Sequence, residues 1–259
     1  MEILTSKAGG ILTIEFNRLE RKNAITGAMY QTMADALVAA EGDAEVRAIV
    51  IAGRPEIFTA GNDLDDFLNN AKGAAGVPAE QRPVFQFMRA LSGSSKPVVA
   101  AVAGAAIGIG TTMLMHCDLV YAADNAKFSM PFVQLGLCPE FASSLLFTQL
   151  AGYPRAAEKL LLGEAFLAQE ALEMGLVSKV LPLDELRAYA RGQAAKLVAL
   201  PAASIRATKA LMKRTRTPAI DETMAIENAR FGAMLLAPEA KEAFTAFFEK
   251  RKPDFSKFA

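Results

Sequence analysis

The sequence has no excess of either charge: lysine and arginine together number 28, and so do aspartate and glutamate. A net charge of zero gives no general field that would favour nucleic acid or an anionic membrane surface. The sequence also has no run of eighteen apolar residues, and no basic leader followed by an apolar segment. We therefore expect neither a nucleic-acid partner nor a membrane partner, and we place the protein in the cytoplasm.

Cysteine and histidine are scarce. Cys117 and Cys138 lie in apolar or loop contexts without the spacing of metal ligands, which predicts free thiols in a reducing compartment. The single histidine, His116, has methionine and leucine neighbours, which predicts a buried structural residue. Ser143 and Ser144 have no histidine nearby in sequence, so a serine nucleophile is not supported. We predict no metal site.

Apolar residues, in contrast, make up 52% of the 259 residues, which is enough to bury a large core. The central stretch is residues 96–140, where a buried strand, a glycine turn and one isolated carboxylate follow one another. Residues 97–103 are small or β-branched apolar residues, typical of a strand covered on both faces. Gly104, Gly108 and Gly110 come next, and they allow a tight turn and a close approach of backbone to ligand.

After this turn, residues 111–116 have no helix breaker, which predicts a buried helix. The amino end of such a helix carries unpaired amide hydrogens and partial positive charge, which favour a developing oxyanion. A second turn of this kind lies upstream, where a buried strand at 48–53 leads into FTAGNDL at 58–64. Asp63 is predicted to cap the helix that follows, with Asp65 and Asp66 facing solvent. One amide from each turn could bind a single carbonyl oxygen and form an oxyanion hole.

Five segments carry a resemblance to a known family. They are NRLERKNAIT (17–26), AGNDL (60–64), KPVVAAVAGAAIGIG (96–110), CDLVYAADNAKF (117–128) and AQEALEMGLVSKV (168–180). Each is a weak pattern alone, but in this order and spacing they are specific. The chain resembles the crotonase (enoyl-CoA hydratase/isomerase) superfamily along nearly its whole length. The resemblance implies an α/β fold, the ClpP/crotonase-like spiral of ββα units, with a spiral core at 1–200 and a helical trimerisation or lid region at 201–259.

The same resemblance assigns site residues. It implies that the backbone amides of Asn62 and Ile109 polarise the thioester carbonyl of an acyl-CoA. Residues implied to contact the CoA or the acyl group are Arg21, Lys22, Ala24, Ala60, Gly61, Asp63, Leu64, Gly108 and Phe132. Arg18 belongs to the same basic loop as Arg21 and Lys22, which is expected near the CoA phosphates unless it is only a solvated loop. No separate cofactor is expected, because CoA is part of the substrate, and a homotrimer or a dimer of trimers is implied.

The resemblance does not fix the reaction, because this fold hosts many activities. Crotonase-type hydratases use two glutamates to handle water, and the corresponding positions here are Thr112 and Phe132. Hydration depends on a water that positioned bases deprotonate. Because threonine and phenylalanine cannot do this at neutral pH, we expect hydratase activity to be weak or absent.

One acid remains close by: Glu140 follows Pro139, eight residues past Phe132. By spacing alone, Pro139 and Glu140 could simply begin a helix, since acids are favourable at helix amino ends. However, peroxisomal-type Δ3,Δ2-enoyl-CoA isomerases share the whole pattern, with an AGND-like first turn, neither hydratase glutamate, and a glutamate at this later position as the sole base. The resemblance therefore implies that Glu140 is the single catalytic acid and base.

The reaction chemistry suits a single base. Moving a double bond from carbons 3 and 4 to carbons 2 and 3 removes a proton from carbon 2 and returns one to carbon 4. One carboxylate can do both if two amides hold the dienolate between the steps. A helix amino end would lower the pKa of Glu140, whereas a working base needs a raised pKa. We predict that burial against Phe132 and Phe141 outweighs the helix.

The remaining predictions concern the connections and the carboxyl-terminal region. Residues 71–79 are rich in alanine and glycine and are predicted to be a mobile connection that admits acyl chains of differing length. Thr26 is predicted to cap a helix that runs to about residue 41, and Pro218 and Pro238 to mark helix starts. The basic cluster is interpreted as a solvated helix face, or else as a phosphate contact or subunit boundary; it comprises Arg206, Lys209, Lys213, Arg214 and Arg216.

Two alternatives to the isomerase interpretation remain. The first is another crotonase-type hydratase or isomerase activity on a different acyl-CoA. The second is a non-catalytic acyl-CoA-binding protein, in which the amide pair survives and Glu140 has no chemical role.

Overall fold

The computed structural model describes residues 1–66 and 78–258. The strands are β1 Ile3–Ala8, β2 Ile11–Phe16, β3 Ala48–Ala52, β4 Ile57–Thr59, β5 Val98–Val102, β6 Ala105–Ile107, β7 Leu119–Ala123, β8 Lys127–Ser129, β9 Phe166–Leu167 and β10 Lys179–Leu181. The α-helices are α1 Gly27–Gly42, α2 Pro83–Gly93, α3 Ile109–Thr112, α4 Ser143–Ala151, α5 Tyr153–Leu162, α6 Ala168–Glu173, α7 Leu183–Ala199, α8 Ala202–Lys213, α9 Thr217–Leu235 and α10 Pro238–Phe248. The predicted connection at 71–79 lies, up to residue 77, outside the described residues.

The larger sheet has the strand order β1-β2-β3-β5-β7-β10. β1 and β2 form an antiparallel hairpin, and the other neighbours pair in parallel. Every residue of β3 and of β5 is buried, because helices cover both faces of a parallel sheet. The continuous apolar runs that predicted these strands therefore reflect burial on two sides.

Two hydrophobic clusters lie on opposite faces of this sheet. The larger one packs α1 and α2 against the sheet and extends through Phe58, Phe128 and Phe147. The smaller one lies under α7, which contributes Leu186 and Ala190. This layered arrangement confirms the predicted α/β class.

The smaller sheet has the order β4-β6-β8-β9. β4, β6 and β8 run parallel, and β9 closes the edge in the antiparallel direction. The carboxyl ends of β4 and β6 lead directly into the two glycine turns that were singled out in the sequence. The sheet therefore places these turns at one edge.

The structure confirms several helix ends and corrects one helix. Thr26 caps α1 by accepting the amide hydrogen of Met29, and Pro218 and Pro238 lie in the first turns of α9 and α10. The predicted helix at 111–116 is instead the single turn α3 followed by a 3-10 turn at Met113–His116. Because the chain enters β7 at residue 119, the last turn tightens to i to i+3 bonding rather than continuing as an α-helix.

The basic cluster at 206–216 is solvated only in part: Arg206 and Arg214 are exposed, whereas two of its lysines bind the core. Lys209 is buried, and its Nζ donates to Asp118 Oδ2 at 2.6 Å and to the carbonyl of Lys96 at 2.7 Å. Lys213 donates to the carbonyl of Ser92 at 2.7 Å. These two lysines attach α8 to the core, so the interpretation as a solvated face was wrong for them. The boundary between 1–200 and 201–259 stays a prediction.

Candidate active site

The two glycine turns touch each other. A Cβ atom built on Gly61 would lie 2.7 Å from the carbonyl oxygen of Ile107, and the backbone there has a φ of +85°. A side chain at this position would push the two turns apart, because the nearest atom belongs to the backbone. Glycine is therefore required for the turn after β4 to pack against the turn after β6.

Each turn leaves one backbone amide without an acceptor among the described residues. In the first turn, Ile25 N–H donates to Gly61 O at 2.8 Å and Asp63 N–H donates to Ile25 O at 3.0 Å, so the Asn62 amide between them faces the other way. In the second turn, Ile109 is the first residue of α3, and its N–H has no partner in the helix. The two predicted oxyanion donors thus lie on adjoining turns.

Gly108 sets the direction of the Ile109 amide. Its φ of 57° and ψ of −121° belong to a region that essentially only glycine adopts. Its own N–H donates to Ser129 O at 2.9 Å, and its carbonyl accepts from the amides of Thr111 and Thr112. These bonds fix the turn, so the free amide at 109 is preorganised before any ligand arrives.

A cleft of about 990 Å³ opens in front of both amides. Its lining includes every residue that the sequence predicted for the oxyanion pair and for CoA or acyl contact: Arg21, Lys22, Ala24, Ala60, Gly61, Asn62, Asp63, Leu64, Gly108, Ile109 and Phe132. The predicted base, Glu140, is not part of this lining. The position of Glu140 relative to the cleft follows from its hydrogen-bond contacts.

The opposite wall of the cleft comes from the carboxyl-terminal region and was not predicted residue by residue. It is formed mainly by phenylalanines, at positions 231, 244, 247, 248 and 255. Phe231 packs edge-on against Phe132, with ring centroids 6.5 Å apart. The apolar spacing of Phe244, Phe247 and Phe248 along α10 was a usable signal for one face of a helix, but it does not say what that face covers.

Arg18 does not belong to the cationic side of the cleft. It forms ion pairs with Glu2 and with Asp63, both at 2.7 Å, and it is largely buried. Arg21, whose side chain is 53% exposed, and Lys22 do line the cleft. Because two carboxylates pair with Arg18, it is not part of a solvated loop, and its contact with the CoA phosphates stays a prediction.

Asp63 has the capping role that was predicted. Its Oδ1 accepts the amide hydrogen of Asp66 at 3.1 Å. Although burial opposes the change, the hydrogen bond from Arg18 lowers the pKa of Asp63. Asp65 is exposed as predicted, whereas Asp66 is only half-exposed, since its carboxylate accepts the Gly27 amide at the start of α1 (2.7 Å).

Glu140 is buried, with 5% of its surface exposed. Its Oε1 accepts the hydroxyl hydrogen of Thr112 at 2.5 Å, whereas Oε2 has no hydrogen-bond partner among the described residues. Burial raises the pKa of Glu140 from its ordinary 4.5 to about 8; the Thr112 hydrogen bond opposes this shift and the charge of Glu227 adds to it. The prediction that burial dominates the pKa of this carboxyl is confirmed.

The turn after Glu140 explains why the neighbouring helix does not stabilise its charge. Phe141 and Ala142 have φ values of 58° and 56°, so α4 begins only after them. A different carboxylate takes the amides at that helix end: Glu227 of α9 accepts from Ala142 N at 2.6 Å and from Ser144 N at 3.0 Å. The alternative in which Glu140 begins the helix was therefore wrong. Glu227 is a site residue that no sequence spacing could reveal.

Two side chains connect Glu140 to the paired turns. Thr112, which holds Oε1, lies in α3 with Ile109. Tyr30 of α1 donates its phenol hydrogen to Asn62 Oδ1 at 2.6 Å. Burial raises the pKa of Tyr30 well above 10.0, and the charge of Glu140 raises it further, which places the phenol close to the carboxyl. Glu140 is thus tied through Thr112 to the helical turn that carries the Ile109 amide.

The single histidine and the cysteines have the structural character that was predicted. The His116 ring stacks on Phe141 with centroids 3.8 Å apart, and Nε2 lies 2.8 Å from the Phe141 carbonyl oxygen. Burial lowers the pKa of His116 from 6.5 to about 3, so the ring is uncharged at neutral pH. Cys117 and Cys138 are free thiols, as predicted.

Metal ligands and membrane spans were also sought in the described ranges. Across residues 1–66 and 78–258, no group of three or more His, Cys, Asp or Glu is arranged to hold a metal ion. Over the same residues, no helix combines the length and the apolar character that crossing a bilayer requires.

The sequence matches a family model described as enoyl-CoA hydratase/isomerase over residues 6–257. One relative is the 2,3-dehydroadipyl-CoA hydratase of Escherichia coli (strain K12), 31% identical over 254 residues that cover 98% of each chain. Another is the enoyl-CoA delta isomerase 2 of Rattus norvegicus, 36% identical over 253 residues, which are 97% of this chain and 64% of the relative.

The likeness extends to solved structures. The crystal structure of enoyl-CoA hydratase/isomerase from Pseudoalteromonas atlantica T6c has a TM-score of 0.93 and 38% identity, covering 98% of this chain and 100% of that chain. OdaA of Pseudomonas aeruginosa has a TM-score of 0.91 and 41% identity, covering 95% of this chain and 98% of that chain. The similarity therefore concerns the whole architecture and not a single motif.

Proposed function

The chain belongs to the enoyl-CoA hydratase/isomerase family of the crotonase superfamily, and from that premise we propose that it is a Δ3,Δ2-enoyl-CoA isomerase. The predicted crotonase fold is confirmed by the solved structures. The finer assignment rests on one observation. Among the described residues, the buried carboxyl of Glu140 has one oxygen without a hydrogen-bond partner, and its other oxygen is held by Thr112 on the helical turn that carries the Ile109 amide. The two positions of the hydratase glutamates hold Thr112 and Phe132.

In this proposal the acyl-CoA lies in the cleft with its thioester oxygen at the amides of Asn62 and Ile109. The turn at 60–64 runs along the CoA, and Arg21 and Lys22 supply positive charge for its phosphates. The phenylalanine wall offers the acyl chain an apolar surface, as ligand clefts commonly do. CoA is part of the substrate, and the proposed chemistry needs no other cofactor.

The first chemical step transfers a proton from carbon 2 to Glu140 Oε2. The electron pair of that C–H bond forms a double bond between carbons 1 and 2, and the thioester oxygen takes the negative charge. The two amides donate to this oxygen, and one such donor is typically worth about 2.7 to 4 kcal/mol. In the second step carbon 4 takes the proton back from Glu140, a double bond forms between carbons 2 and 3, and the carbonyl is restored.

Because Thr112 donates a hydrogen bond to only one oxygen of Glu140, the two oxygens have different roles. Oε1 is held by the hydroxyl, so the carboxylate has one orientation, and Oε2 is left to exchange the proton. A raised pKa makes the ionised carboxylate a stronger base, which suits abstraction of a weakly acidic proton. Since only the ionised form can accept a proton, the rate should rise with pH through about 8.

A second candidate function is hydration of a 2-enoyl-CoA, because most of the relatives carry hydratase names. Hydration requires one group to deprotonate water and another to deliver a proton. Thr112 and Phe132 cannot supply either, and Glu140 would have to act alone. We therefore place hydration second.

The test uses a panel of 3-enoyl-CoA and 2-enoyl-CoA esters with the wild type and with Glu140→Gln. We expect the wild type to isomerise the 3-enoyl esters and to hydrate the 2-enoyl esters poorly. Glu140→Gln should lose isomerisation while still binding the ester. Full isomerase activity in Glu140→Gln, or efficient hydration by the wild type, would contradict the proposal. Tight ester binding without deuterium exchange at carbon 2 would indicate a non-catalytic binder instead.

We also propose that the protein assembles as a homotrimer or a dimer of trimers. Exposed apolar side chains support a contact between subunits; they include Tyr153 and Leu161 on α5, which are 71% and 66% exposed. Sedimentation of a monomer at micromolar concentration would contradict this assembly. A cytoplasmic location is proposed as well, since free thiols suit a reducing compartment.

A further inference from the structure

A second buried glutamate binds the turn that directly follows the base in the chain. Glu227 of α9 is 5% exposed, and its carboxylate accepts three hydrogen bonds from the start of α4. The donors are Ala142 N at 2.6 Å, Ser144 N at 3.0 Å and Ser144 Oγ at 2.5 Å. Burial raises the pKa of Glu227, whereas these three hydrogen bonds lower it and hold the carboxylate in one position.

The segment that Glu227 holds is strained. Phe141 and Ala142 are consecutive residues in the left-handed region, a conformation that costs free energy for residues with a side chain. Such a turn persists only where surrounding contacts fix it. The ring stack of His116 on Phe141 is one such contact, and the bond from Ala142 N to Glu227 is another.

From this geometry we infer that Glu227 is a positioning residue for Glu140. It fixes the strained turn that aims the Glu140 side chain, and it takes the amino-terminal amides of α4. The Glu140 carboxylate is thereby left with the Thr112 hydroxyl as its donor. The inference rests on the proposed function only for its catalytic meaning, since the structural coupling of the two carboxyls exists whether or not an ester is turned over.

The groups that face Glu140 come from several elements, and they allow the effect of Glu227 to be separated. Tyr30 of α1 and Thr112 of α3 are uncharged at neutral pH. Burial raises the pKa of the Cys138 thiol on the same segment, and burial lowers that of His116, so neither is charged. The charge of Glu227 raises the pKa of Glu140, so removing that carboxylate should lower the pKa of Glu140.

The experiment measures the protonation of Glu140 directly. The full chain is labelled with carboxyl-13C glutamate, and the Glu140 resonance is assigned by its absence in Glu140→Gln. We expect Glu227→Gln to move the Glu140 titration midpoint to lower pH by about one unit, because a buried negative charge is lost and the α4 amides become available. Glu227→Asp keeps the charge and should leave the midpoint near that of the wild type. Glu222→Gln, exposed on the same helix, should not move it.

The acid limb of kcat/KM against pH should move with the NMR midpoint in Glu227→Gln. An unchanged or raised midpoint in a folded Glu227→Gln protein would overturn the inference. If Glu227→Gln lowers the Glu140 midpoint but the wild type does not isomerise 3-enoyl esters, the proposed function is contradicted and the inference is still supported. If Glu227→Gln does not fold, the same NMR titration is carried out on the wild type. Glu227 should then ionise at lower pH than Glu140, and the reverse order would overturn the inference.

Discussion

The two buried glutamates have the same side chain and the same 5% exposure, yet opposite surroundings. Glu227 accepts three hydrogen bonds, two of them from backbone amides at a helix end. Glu140 accepts one, from a hydroxyl, and its second oxygen is unpaired among the described residues. Burial raises the pKa of both carboxyls; three donors oppose that shift at Glu227, and the Thr112 hydroxyl opposes it at Glu140. The comparison teaches that the number of donors, rather than burial, separates a structural carboxylate from a candidate base.

The largest expected effect is a difference in kcat between variants of the two glutamates. At pH 9, where Glu140 is mostly ionised, Glu140→Gln should lower kcat on a 3-enoyl-CoA by about 10²- to 10⁴-fold, the usual worth of a general base. Glu227→Gln should lower it by about tenfold or less, because the base is still present. Initial rates with both variants and with Glu222→Gln as control measure this. Equal losses of kcat in Glu140→Gln and Glu227→Gln would contradict the different roles assigned to the two glutamates.

The next effect concerns stability and pH. The folded pKa of Glu140 lies above its unfolded value, so the carboxyl costs no stability below about 4.5 and its cost is complete above about 8. The free energy of unfolding of the wild type should therefore fall as pH rises from 5 to 9. Glu140→Gln should remove most of that fall, on the order of 3 to 5 kcal/mol. Urea titrations at both pH values test this, and parallel pH dependences for wild type and variant would contradict it.

A smaller effect should follow from removing the hydroxyl of Thr112 that donates to Glu140. Thr112→Val abolishes the hydrogen bond that favours the ionised carboxylate, so the pKa of Glu140 should rise further. The acid limb of kcat/KM should move to higher pH by about one unit, the scale of one hydrogen bond to a charged group. Thr112→Ser keeps the hydroxyl and serves as the matched control. A downward shift in Thr112→Val would show that the hydroxyl does not act on this carboxylate.

The smallest effect should come from the support of the first amide. Tyr30→Phe removes the hydrogen bond to the Asn62 side chain and should lower kcat/KM by about fivefold, the worth of about 1 kcal/mol. Tyr189→Phe is the matched control, since this half-buried tyrosine lies on α7 and packs on Tyr121. A loss of the same size in Tyr189→Phe would show that the effect is general destabilisation.

The local features of the site were predictable because their causes are local. The turns at 58–64 and 104–110 follow continuous apolar strands, and their glycines permit the close approach that the structure shows at Gly61. Ion pairs between residues far apart in the sequence were not predicted. Arg18 is neutralised by Glu2 and Asp63, and Lys209 by Asp118, and none of these pairs has a spacing that sequence patterns encode.

The sequence by itself determined the buried strands β3 and β5, the glycines of the two turns, and the presence of a single acid at 140 with none at 112 or 132. Only the tertiary structure decided the state of that acid. Its burial comes from packing across the core, and among the described residues its hydrogen-bond donor comes from α3. The helix amides that would have lowered its pKa are bound by Glu227, 85 residues from Ala142 along the chain. The charge state of a buried group depends on which donors reach it, and distant segments supply those donors only once the chain has folded.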